Sequence, residues 1–173
     1  MIQTGAWFER TFSFNLPPQM YPNILERLRG SPARLEERLV QLPRETLVAR
    51  EGDKWSIQEH AGHLLDLSAL DLGRLDDYEA GLETLRPADL KNRRTYEANH
   101  NEQPLENILR EFRRERTEFV RRLEGYDEAF ITRSALHPRL QVQMRVMDLA
   151  LFMAEHDDHH LARITELLRM SAP

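Results

Sequence analysis

Between its prolines and glycines this chain repeats apolar residues at intervals of three and four, and that spacing limits its fold more than any other feature. Leu105, Ile108, Leu109, Phe112, Phe119, Val120 and Leu123 keep the helical period, with Pro104 ahead of them and Gly125 behind. Ile57, Ala61, Leu64, Leu65, Ser68, Leu72 and Leu75 form a second stripe, which predicts a helix from Ile57 to about Leu82, closed by Gly81 and Pro87. Ser56 heads it with Glu59 three residues on, the capping-box pattern in which each side chain satisfies the other residue's free amide. A further helix is predicted from near Arg145 to Met170. Upstream, Pro22 opens a short helix to Leu28 with Gly30 as its stop. Ser31 and Pro32 then read as the cap and first residue of a separate helix over Ala33 to Leu42. Pro43 ends it, and a short turn follows over Arg44 to Ala49. The polar stretch from Arg86 to Glu102 has no readable period, and the residues around Phe130, Ile131 and His137-Pro138 read as a loop. Few segments alternate as strands do, so a large sheet is not expected. The pattern is that of an all-α protein, a helical bundle.

The length of 173 residues suits one domain. Residues 24–173 are expected to form it, behind an N-terminal arm over residues 1–23. The arm's aromatics, Trp7, Phe8, Phe12 and Phe14, are expected to cover a bundle end or to make a homodimer contact. Glu9 and Arg10 break any apolar run there, and no stretch approaches the roughly 18 apolar residues that a membrane span needs. The chain has no cysteine, which fits a cytoplasmic protein and excludes disulfides, thiolate nucleophiles and cysteine-based metal sites. The formal net charge is −5. The basic run from Arg110 to Arg122 is interleaved with glutamates, as on a solvated helix face, so no nucleic-acid partner is expected.

Seven histidines stand at positions 60, 63, 100, 137, 156, 159 and 160. His156 and His160 lie about 40° apart on the last helix, one turn above the other. They share a line with Leu149 and Leu167, so they interrupt the core-facing stripe. Imidazoles facing an apolar core need partners for their ring nitrogens, and a metal ion would supply one to each. Asp157 points about 100° away, so the helix is not a zinc-protease motif. Two ligands do not complete a site. A third would come from the second stripe, where His60 and His63 both qualify, and the helical wheel slightly favours His60.

Two runs carry a resemblance. Trp55-Ser56-Ile57-Gln58-Glu59-His60-Ala61-Gly62-His63-Leu64 resembles the first signature of the DinB-like superfamily: Trp-Ser, a glutamate four residues after the tryptophan, and His-Leu four further on. Ala154-Glu155-His156-Asp157-Asp158-His159-His160-Leu161-Ala162 resembles the second, a His-x-x-x-His helix near the C-terminus. The resemblance implies a four-helix bundle holding a divalent metal, nickel or zinc, through His63, His156 and His160. It leaves His60 in a packing or supporting role. Three histidines would leave the metal an open position for water or substrate. The expected function is then a metal-dependent enzyme acting on a small molecule. It would be a hydrolase, or a transferase using a low-molecular-weight thiol as cosubstrate. The alternative is a non-catalytic metal-binding stress-response protein. Arg163, His100 and His137 are the candidate supporting residues. Arg163 lies about 20° from His156 on the ligand line and could take a substrate carboxylate or phosphate, and the two loop histidines could reach the metal's open face. Asp66 is a candidate to orient a ligand imidazole.

Overall fold

The computed structural model describes residues 3–170. The expectations for residues 1–2 and 171–173 lie outside this range. Four long rods form the bundle. The first is α1 (Tyr21–Leu39). The second joins α3 (Ile57–Asp66) to α4 (Ser68–Glu79) through Leu67, whose backbone stays helical at φ −79 and ψ −12. The third and fourth are α6 (Leu105–Glu124) and α8 (Val146–Met170). Each of α1 and α3 packs on both α6 and α8. Short helices α2 (Arg44–Val48), α5 (Arg93–Glu97) and α7 (Glu128–Ile131) lie in the connections. The segment read as a loop around His137 also holds an antiparallel hairpin, β1 (Ser134–His137) with β2 (Val142–Arg145), in which His137 pairs with Val142.

The two helices expected between Pro22 and Leu42 are one. α1 runs through Gly30 and Pro32 without a stop. The proline removes an amide and disturbs the preceding turn. There the Arg27 carbonyl receives Ser31 Oγ and Arg34 Nη2, both at 3.1 Å. Ile24, Leu25 and Leu28 before the break and Leu35 and Leu39 after it are all buried. Burial of one continuous face outweighs two local helix breakers, because packing rather than propensity supplies most helix stability.

The apolar core is divided. One cluster gathers Ile24, Leu28, Leu75, Tyr78, Phe119, Leu123, Leu149 and Phe152. The other gathers Leu35, Leu39, Ile57, Leu64, Ile108, Phe112, Ile164 and Leu167. At the level between them every rod carries polar residues: Ser31 on α1, Asp71 on α4, Arg116 on α6 and Asp157 on α8, all buried. Arg116 bonds to Asp71 at 3.2 Å and to Asp157 at 2.9 Å. Burial pushes Asp71 up to about 6 and raises Asp157, with Arg116 opposing both shifts.

Candidate metal centre

The capping box forms as the sequence predicts. Ser56 Oγ accepts from the Glu59 amide at 3.1 Å, and Glu59 Oε2 accepts from the Ser56 amide at 2.9 Å. This fixes the first turn of α3 just ahead of His60 and His63. Gln58 Nε2 donates to the carbonyls of His100 and Gln103 at 2.6 and 2.8 Å, tying α3 to the chain that leads into α6.

Ring nitrogens of His63, His156 and His160 lie within 4.8 Å of one another, and all three side chains are buried. His156 Nε2 and His160 Nε2 are 3.1 Å apart. That separation is close to the roughly 3.3 Å expected for two nitrogens sharing one ion at about 2.0 Å. Other contacts hold two of the rings. His63 Nδ1 meets Thr95 Oγ1 at 3.0 Å, leaving its Nε2 for the cluster. His160 Nδ1 meets His60 Nδ1 at 2.8 Å. With the proton on the His160 side, both Nε2 and the ring plane of His160 are set for ligation. Burial, the largest influence, drives His63 down to about 4 and holds His156 and His160 well below the usual histidine range. Charge on neighbouring histidines pushes the latter two further down. All three are therefore neutral at pH 7, the form that binds a metal. Convergence, burial and neutrality together make this donor set fit a divalent cation.

The cluster forms one wall of a cavity of about 500 Å³. Trp55 lies against His63 at 4.6 Å between ring centroids. From the other side Trp7 lies 4.8 Å from His156 and 5.1 Å from Phe152. Of the arm's aromatics, Trp7 thus reaches the cavity wall, while the carbonyl of Phe14 receives Arg145, just ahead of α8. Phe12 and Phe14 pack on Phe152, one turn before His156, and this draws Trp7 over the site. Arg10 pairs with Glu155 at 2.5 Å and holds the arm along α8.

The candidate supporting residues divide. His137 lines the cavity. His100 does not face it: Nε2 bonds to Asp66 Oδ2 at 2.8 Å, and the ring lies so close over Gly62 that a Cβ there would fall 2.2 Å from it. Asp66 likewise takes His100 and Arg94 rather than a ligand imidazole. Arg163 lines the cavity but is ion-paired to Glu166 in the next turn. His60 supports His160, and His159 lines the cavity with its Nδ1 buried and unpartnered. Thr95, Arg74 and Arg139 were not legible in the sequence. Thr95 lies in the stretch without period, and the arginines belong to no motif.

The chain belongs to the DinB superfamily: the family's model matches residues 27–164. Its fold is similar to that of YfiT from Bacillus subtilis, with a TM-score of 0.77 and 19% sequence identity, covering 94% of this chain and 93% of that one. YfiT is described as a probable metal-dependent hydrolase with an unusual four-helix bundle topology. No curated protein matches the chain in sequence. Among the described residues no helix is long and apolar enough to cross a membrane.

Proposed function

We propose that this protein is a metal-dependent enzyme acting on a small molecule, with nickel or zinc held by His63, His156 and His160. The observation that carries the reading is the convergence of three neutral imidazoles on the wall of a cavity large enough for a substrate. The description of YfiT as a probable metal-dependent hydrolase supports it. A divalent ion held by His63, His156 and His160 would supply Lewis acidity, polarising a substrate oxygen or lowering the pKa of a bound water or thiol. The protein's own residues do the rest. Thr95 and His60 orient the rings of His63 and His160. Trp7 packs on His156 and Trp55 on His63, shielding those rings from solvent. Neutral ligands leave the ion's charge uncompensated, which strengthens its pull on an anionic nucleophile. Water as nucleophile gives hydrolysis. A low-molecular-weight thiol gives group transfer, and with no cysteine in the chain that thiol is a cosubstrate.

Cobalt substitution tests the reading. The expected result is one equivalent of cobalt, lost in His63→Ala and His156→Ala, with visible bands that shift when azide or a small thiol is added. Bands that do not respond to any added ligand, together with unfolding on metal removal, would leave the metal a structural staple and favour the non-catalytic stress-response reading.

A further inference from the structure

Two arginines at the cavity have no carboxylate of their own. Arg74 on α4 is 2% exposed, yet its one side-chain hydrogen bond runs from Nε to the Arg86 carbonyl at 3.3 Å. Asp71 acts on it electrostatically but is already bonded to Arg116. Arg139, on the turn between β1 and β2, lies over the rings of Phe8 and Phe152 at 5.2 and 5.6 Å, and its Nη2 is buried without a partner. Neither arginine has a carboxylate within ion-pair distance among the described residues.

His137 completes the group. It is 2% exposed, and its Nδ1 accepts the Leu140 amide at 3.2 Å. Nε2 must then carry the ring proton, and it too is buried without a partner. Arg74, His137 and Arg139 line the same cavity as His156, and the charges of both arginines act on His137. A buried cation without a counter-charge is unfavourable, as is a buried donor without an acceptor. Arg163 shows the contrast, since it lines the same cavity but is neutralised by Glu166. What the three open donors lack is a planar, bidentate anion.

We propose that Arg74, Arg139 and His137 form a carboxylate subsite, so that the cavity takes a small organic acid with its apolar body against Phe152 and Trp7. The proposal rests on the metal-enzyme reading only for the assignment of that acid as substrate; the subsite itself requires no metal.

Trp7 and Trp55 both line the cavity and are the chain's two tryptophans, so intrinsic fluorescence reports its occupancy. The probes are phenylacetate and hexanoate, each beside its neutral amide, titrated into metal-free protein and into cobalt-loaded protein. The acids are expected to bind the metal-free protein about tenfold or more tightly than the amides, the worth of one charge-assisted contact. Arg139→Gln, at a half-buried position, should remove that preference and leave amide binding and the cobalt spectrum unchanged. Arg74→Gln should act in the same direction and serves as a second variant if the first does not fold. Equal binding of acids and amides would overturn the subsite, as would no binding of either, or an unchanged preference in both variants. Acid binding seen only with cobalt present would assign the carboxylate to the metal, overturning the subsite while leaving the metal-enzyme reading intact. Loss of cobalt binding with the acid preference intact would do the reverse.

Discussion

Two sets of polar groups in this bundle, one inside the apolar core and one at the cavity, are solved in opposite ways. In the layer between the core clusters Arg116 is ion-paired with both Asp71 and Asp157, so its charge is answered from within the fold even though Arg116 Nε, Asp71 Oδ1 and Asp157 Oδ2 lack hydrogen-bond partners. On the cavity side Arg74, Arg139 and the buried histidines face open space with few partners of opposite charge. Both arrangements cost desolvation, but only the first recovers it inside the protein. The difference separates the polar residues that hold the bundle together from those whose partners must arrive from outside.

The largest test of that contrast is pH. Burial lowers His60 to about 3, His63, His137 and His159 to about 4, and His156 and His160 well below the usual range. The unfolded chain therefore takes up protons near pH 6.5 while the folded chain does not. Stability is full above about pH 6.5 and falls as pH drops towards the folded values, by up to about 1.4 kcal/mol per pH unit for each histidine. Asp71 acts in the opposite sense between about 6 and its unfolded value of about 3.8, as does Asp157 in direction, but two carboxylates face six histidines. Metal-free protein should lose several kcal/mol between pH 7 and 5, read by denaturant melts. A flat profile would mean that the cavity side is not desolvated as the structure has it.

Next in size is a pair of substitutions. Arg116→Met strands two buried carboxylates and should cost about 3–5 kcal/mol. Arg74→Met, at an equally buried position, should change metal-free stability by about 1 kcal/mol or less, because it removes a charge the fold does not answer. Equal losses in urea melts would erase the distinction.

The smallest effect sharpens the cavity side alone. Thr95→Val removes the hydroxyl that orients His63. It should weaken metal binding by about 10–100-fold, read by competition with a chelator, with little change in metal-free stability.

Much of the scaffold was legible because it depends on neighbours along the chain. The Ser56–Glu59 box, the extent of α6 and the start of α8 follow from capping and period. Pro32 misled for the same reason: the breaker is local, and the face that overrides it is buried against α6 and α8. At the site, spacing brought out the His156–His160 pair but left His60 and His63 open. The structure brings His63 into the cluster, and His60 behind His160. A helical wheel could not make that choice, since one turn of α3 carries both rings and the packing of α3 on α8 decides which nitrogen arrives.

The sequence by itself determined the rods, their caps and a histidine pair on a buried line, since each depends on residues a turn or two apart. Tertiary structure alone decided which polar groups would be answered. Arg116, Arg74, Arg139 and Arg163 are the same residue type, and nothing local separates them. One meets two carboxylates from other helices, one a glutamate on its own, and two meet open space. Charge pairing over such sequence distances is set by how the rods pack, and in this chain it also set where a ligand would be needed.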